Sequence, residues 1–241
     1  MSLENKSILI TGAARRLGRA IALAVAEQGA NVVLHYHTSA KEVEEVACAI
    51  RNLNRSAWVI KANLAESNSV QSLIENALSV TPLFALVNNA SIFRNLRFED
   101  TSLSDWNEHL QVNLTAPFLL TQKFASAFAV SETGRVVNIL DWRALRPGKD
   151  HFPYTISKAA LAAMTKSTAL SLAPKICVNA VALGAILPPE NELPNRDLLE
   201  SVPLKRWATL DEFTRTIIFL LDGPDYITGE VIHLDGGRHL Y

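Results

Sequence analysis

Short apolar, β-branched runs alternate along this chain with longer segments of helical periodicity. Ser7–Thr11 is such a run, and Arg19–Gln28 repeats its apolar residues at helical spacing. The same alternation continues to the end. Strands are predicted at Asn31–Tyr36, Ala57–Lys61, Leu83–Val87, Arg135–Leu140, Ile176–Ala182 and Val231–Leu234. Helices are predicted at Ser39–Leu53, Glu66–Val80, Leu103–Val130, Tyr154–Ala173 and Asp211–Leu221. Strand alternating with helix builds a parallel sheet covered on both faces. The expectation is therefore an α/β fold: one Rossmann-type, doubly wound parallel sheet of about seven strands, in a single domain spanning 1–241. No repeat, linker or low-complexity tract interrupts the pattern. The long irregular piece, 184–205, holds four prolines and several acidic residues. A loop of that length reads equally as a substrate-binding lid or as a disordered surface loop.

Composition narrows the classes. Nearly half of the 241 residues are hydrophobic, enough for a substantial core, and the net charge is −1. No block of like charge points to nucleic acid or to an anionic membrane surface. Cys48 and Cys177 are far apart, and the six histidines are scattered, so no metal site is expected. No apolar run approaches the roughly 18 residues of a membrane span. The opening Met-Ser-Leu-Glu-Asn-Lys carries no leader pattern, and a cytoplasmic protein is expected.

Candidate chemistry begins at the first turn. Thr11-Gly-Ala-Ala-Arg-Arg-Leu-Gly18 lies between the first strand and the first helix. In a doubly wound sheet, ligands gather at the C-terminal ends of the strands, where a helix N-terminus suits a pyrophosphate. An NAD site usually has a carboxylate about twenty residues on, to hold the ribose 2′-hydroxyl. Here the second strand ends in His35-Tyr-His-Thr-Ser39, with no acid. Arg15, Arg16 and that hydroxyl cluster suit a 2′-phosphate, so NADPH is the expected cofactor.

A second cluster follows the fifth strand. Tyr154 and Lys158 are four apart and share a helix face, with Pro153 at the helix start. An ammonium beside a phenol favours the phenolate, so Lys158 is expected to lower the Tyr154 pKa and make it a proton donor near neutral pH. Asp141, at the strand end, can reach the same spot.

Thr11-Gly12, Gly18, Asn88-Asn89-Ala90, Asn113, Tyr154-x-x-x-Lys158 and Asp235-Gly236-Gly237 together resemble the short-chain dehydrogenase/reductase family over essentially the whole chain. The resemblance implies a catalytic set of Tyr154, Lys158, Asn113 and Asp141. Pro117, four after Asn113, has no N–H and leaves the Asn113 carbonyl available to water. The resemblance also implies cofactor contacts from Gly12, Arg15, Arg16 and Leu17, then His37, Thr38 and Ser39. Asn63, Leu64, Asn89, Ala90 and Ser91 follow, with Tyr154, Lys158, Gly184 and Ile186 completing the set. Most family members carry a serine where Asp141 stands and a glycine where Arg16 stands. In both departures the chain is similar to the pteridine reductase and dihydromonapterin reductase branch, as it is in Leu34–Ala40 and Asn88–Phe93. Two further departures are Asn63, where an aspartate is usual, and Leu183, where a proline is usual.

The branch resemblance implies reduction of a dihydropterin or dihydrofolate to the tetrahydro form. The pterin would be held by Arg16, Ser91, Phe93, Asp141 and Tyr154, with its ring stacked on Phe93. Two alternatives stay open: an NADPH-dependent carbonyl reductase acting on 3-oxoacyl thioesters or sugars, and a non-catalytic NADPH sensor. The family also implies a homotetramer. Ile217–Leu221 and the last strand could supply apolar interface or could simply be core.

Overall fold

The computed structural model describes residues 3–128, 133–187 and 199–240. The strands are β1 (Ser7–Ile10), β2 (Asn31–Tyr36), β3 (Ala57–Lys61), β4 (Ala85–Asn88), β5 (Gly134–Asp141), β6 (Ile176–Leu183) and β7 (Val231–Leu234). The helices are α1 (Arg16–Glu27), α2 (Ala40–Asn52), α3 (Ser67–Val80), α4 (Leu103–Leu110), α5 (Ala116–Ser126), α6 (Phe152–Leu172) and α7 (Leu210–Asp222). The strands form one parallel sheet in the order β3-β2-β1-β4-β5-β6-β7. Chain direction along the sheet reverses between β1 and β4, which makes that crevice the switch point.

The strand period of two divides the core. On β1, Ile8 and Ile10 join one apolar cluster with Ile21, Val25, Val46 and Phe213, under α1, α2 and α7. Leu9, between them, points to the opposite cluster with Leu73, Ile74, Leu120 and Phe124, under α3 and α5. All three β1 side chains are fully buried. Both faces of the central strands are therefore covered, and only the strand ends remain for chemistry.

The expected single helix over Leu103–Val130 is α4 and α5 joined by a π-helical turn, Gln111–Thr115, and α5 ends at Ser126. The physical reason is Pro117: it cannot donate to the Asn113 carbonyl, and the Ala116 N–H bonds to Gln111 O instead of keeping the α register. Residues 129–132 lie outside the described set, as does 188–198, half of the expected substrate loop. The apolar run of α7 is largely internal: Ile217, Leu220 and Leu221 are buried against the sheet, and Phe219 is half exposed. No helix among the described residues is long and apolar enough to cross a membrane.

Candidate active site

The glycine turn is built by contacts that leave no room for side chains. Gly12 has φ +65, and a Cβ there would lie 3.1 Å from Ala90 Cα. A Cβ on Gly18 would meet Gly12 O at 2.0 Å. Thr11 Oγ1 accepts from the N–H groups of Asn89 (2.9 Å) and Ala90 (3.0 Å). Asn89 Nδ2 donates back to Thr11 O at 2.8 Å, locking the β4 loop to the turn. Arg16 sits at φ 50, left-handed backbone of the kind glycine takes without strain. An arginine kept there at a cost of about 1–2 kcal/mol is a pointer to use.

Two adjoining cavities open at this edge. One, about 480 Å³, is lined by the glycine turn from Gly12 to Gly18, by Tyr36 to Ser39, by Asn89 to Ser91, and by Phe93 and Tyr154. The other, about 240 Å³, shares Arg16, Leu17, Asn89, Ser91, Phe93 and Tyr154, and adds Asp141, Lys158, Gly184 and Ile186. Sixteen of the expected cofactor and substrate positions thus face one cleft: Gly12, Arg15, Arg16, Leu17, His37, Thr38, Ser39, Asn89, Ala90, Ser91, Phe93, Asp141, Tyr154, Lys158, Gly184 and Ile186. Asn63 and Leu64 line neither cavity. The Asn63 amide is spent locally, Nδ2 donating to Glu66 Oε1 (2.7 Å) and Oδ1 accepting from Ala65 N–H (3.1 Å). Leu64 is buried in the core.

Asp141, Tyr154 and Lys158 meet at the C-terminal end of β5. Tyr154 Oη donates to Asp141 Oδ2 at 3.4 Å. Asp141 Oδ1 accepts from the Arg143 backbone N–H at 2.8 Å. Lys158 Nζ donates to Ile139 O at 2.7 Å and lies 5.8 Å from the Tyr154 ring centre. The expected lowering of the tyrosine pKa does not occur here. Burial, then the neighbouring Asp141 carboxylate, pushes the phenol well above its ordinary value. Lys158 is aimed at a backbone carbonyl rather than at the phenol oxygen, and burial takes it down to about 8. Burial also raises Asp141, against the pull of the Arg143 N–H bond. Sequence spacing placed these groups together correctly but could not report how little water they see.

Asn113 is fully buried and acts through its side chain as well. Its Nδ2 donates to Ser157 Oγ (3.0 Å) and Ile92 O (3.1 Å), and its Oδ1 accepts from Ile92 N–H (2.9 Å) and Ser91 Oγ (3.1 Å). It fastens the 91–93 loop to α6. Phe93 is exposed by 53 % and is not packed into the core.

Residues 12–239 match the family model described as Enoyl-(Acyl carrier protein) reductase. The chain is 33 % identical to the 3-oxoacyl-[acyl-carrier-protein] reductase FabG of Staphylococcus epidermidis, over 98 % of this chain and all of that protein. It is 36 % identical to the FabG of Aquifex aeolicus, with 98 % of each covered. Among solved structures it resembles FolM Alternative dihydrofolate reductase 1 from Brucella suis in complex with NADP (TM-score 0.91, 36 % identity, 98 % of this chain and 96 % of that one). It also resembles a short-chain dehydrogenase/reductase from Serratia marcescens (TM-score 0.93, 30 % identity, 99 % and 100 % covered). This chain is a short-chain dehydrogenase/reductase.

Several residues that build this short-chain dehydrogenase/reductase site gave no clear sequence signal. Buried His35 accepts from Gly12 N–H at Nδ1 (3.0 Å) and pairs through Nε2 with Ala62 O (3.2 Å), so it is a neutral Nε2–H tautomer bracing the glycine turn. Burial holds its pKa down at about 4. Its only sequence trace is its place at the end of β2. Arg143 and His151 share the Asp150 carboxylate: Arg143 Nη2 donates to Oδ2 at 3.0 Å, and His151 Nδ1 lies 3.0 Å from the same oxygen. Asp235, by contrast already marked by its Asp-Gly-Gly motif, is buried, accepts from the N–H groups of Gly237 and His239 and closes on Gly184, where a Cβ would lie 2.6 Å from Asp235 Cα.

Proposed function

We propose that this protein is an NADPH-dependent pterin reductase. The observation that carries the reading is Asp141, a half-buried carboxylate hydrogen-bonded to the Tyr154 phenol where most of the family would have a serine. Exposed Phe93 beside it supplies an aromatic face for a flat bicycle.

The cleft fits a phosphorylated dinucleotide. Gly12 and Gly18 admit only backbone at the turn, leaving N–H groups and the start of α1 for the pyrophosphate. Arg15, Arg16, Thr38 and Ser39 would hold the 2′-phosphate, and among the described residues no carboxylate lines that end of the cavity. When bound, NADPH supplies hydride. Tyr154 Oη carries the proton that the reduced substrate nitrogen needs, and its raised pKa keeps the phenol protonated at neutral pH. Asp141 discourages the phenolate. Its Oδ2 accepts from the Tyr154 hydroxyl and so fixes the direction of that O–H. Lys158 keeps Tyr154 in register from the next turn of α6. Arg16, Ser91 and Phe93 would hold the pterin.

The second reading is reduction of a 3-oxoacyl thioester, favoured by the FabG names of the relatives. It uses Tyr154 and Lys158 but gives Asp141 and Phe93 no role. Assembly as a homotetramer belongs to the same proposal, supported by apolar side chains left exposed on α5, α6 and α7: Phe118, Leu170 and Phe219. Following NADPH oxidation over a panel of dihydropterins, dihydrofolate and 3-oxoacyl thioesters tests the assignment. A panel in which only the thioesters react overturns it.

A further inference from the structure

Beyond the expected catalytic group, the site contains a closed circuit of contacts. Tyr154 Oη donates to Asp141 (3.4 Å), and Asp141 accepts from the Arg143 N–H (2.8 Å). Arg143 Nη2 donates to Asp150 Oδ2 (3.0 Å), and the same oxygen lies 3.0 Å from His151 Nδ1. A carboxylate accepts, so His151 carries its proton on Nδ1. The His151 ring then lies flat on Phe93, centroids 4.0 Å apart and planes 13° apart. Phe93 in turn meets Tyr154 edge-on at 4.6 Å.

His151 holds left-handed backbone (φ 51, ψ 43) immediately before α6, a conformation uncommon outside glycine that histidine enters more readily than most residues. Its side chain is only 12 % exposed. That backbone turn, with the ring held by Asp150, sets His151 flat against Phe93 and points to a positioning role. Phe93 sits in a loop, and a loop aromatic with one free face would swing. With His151 on one face and the 91–92 segment pinned by Asn113, Phe93 is left with one open face beside Tyr154.

We propose that His151 is a positioning residue for substrate specificity: it backs Phe93 so that a planar ring is read on the opposite face, and Asp150 and Arg143 tie that platform to Asp141. The proposal rests on the pterin reading for the identity of the planar ring, while the coupling of His151 to Phe93 holds for any substrate of this cleft.

The test is a double-mutant cycle on the full chain. His151→Asn tolerates left-handed backbone and can still donate to Asp150, but it removes the ring. It should raise KM for a dihydropterin about two- to twelvefold, the worth of one aromatic pair. The kcat and the NADPH affinity should stay within about twofold of wild type. In a Phe93→Ala background, His151→Asn should add nothing. Unchanged KM in His151→Asn, or additive losses with Phe93→Ala, would overturn the proposal. The same cycle is run on whichever substrate the wild type reduces. Wild-type inertness toward all dihydropterins with turnover of a 3-oxoacyl thioester ends the pterin reading, and the cycle on the thioester still decides the role of His151.

Discussion

At the scale of single residues the account stands on Tyr154 and Asp141. Tyr154→Phe removes the transferable proton and leaves the cavity shape unchanged. Its kcat should fall about 10²–10⁴-fold, with NADPH binding kept in a fluorescence titration. Asp141→Ala should lose much of the same factor, and the double variant should be little worse than the worse single, because the two groups act as one unit. Strictly additive losses would assign them separate roles. Phe93→Ala should raise KM for a dihydropterin roughly five- to more than a hundredfold, as a stacking contribution of ~1–3 kcal/mol implies. Wild-type pterin kinetics in that variant would make Phe93 a mere loop residue. The four-residue spacing of Tyr154 and Lys158 was legible because a helix turns that spacing into proximity. The direction of the tyrosine pKa was not, because it depends on burial that only the packed chain defines.

At the scale of elements, the glycine turn and its supports carry two further expectations. Arg15 and Arg16, with no carboxylate in the His35–Ser39 stretch at the end of β2, should favour NADPH over NADH by about tenfold to a hundredfold or more, since one charge-assisted hydrogen bond contributes roughly 1.5–3 kcal/mol. Dissociation constants for both nucleotides, compared with those of Arg15→Ala and Arg16→Ala, check this, and equal affinities in wild type would contradict it. The second expectation concerns pH. His35 is neutral and buried, with its folded-state pKa at about 4 against 6.5 for the unfolded chain. Between those values the unfolded state binds more protons, so stability falls as pH drops from 6.5 towards 4. The loss attributable to His35 is about 3 kcal/mol. Denaturant titrations across that window should show a steeper acid loss in wild type than in His35→Gln, and identical slopes would mean that His35 is not the group responsible. The turn itself was readable from Gly12 and Gly18. Its brace was not, because a histidine at a strand end looks the same whether it faces solvent or a backbone N–H.

At the scale of the whole molecule, the parallel sheet was readable because apolar runs such as Asn31–Tyr36 and Ile176–Leu183 alternate with amphipathic helices, and burial on both faces leaves few other packings. The π turn at Gln111–Thr115 needed the particular accommodation of Pro117. The circuit through Asp150, His151 and Phe93 needed loops 57 or more residues apart in sequence to be brought together. The fold alone does not separate a pterin reductase from a 3-oxoacyl reductase, since the chain is about equally like FolM and FabG proteins. The separation rests on Asp141. The most direct measurement is the ratio of kcat/KM for a dihydropterin to kcat/KM for a 3-oxoacyl thioester, in the wild type and in Asp141→Ser. The account predicts a wild-type ratio above about ten, a preference of about 1.4 kcal/mol or more, that collapses in Asp141→Ser. A wild-type preference for the thioester, or a ratio that Asp141→Ser leaves unchanged, would contradict it.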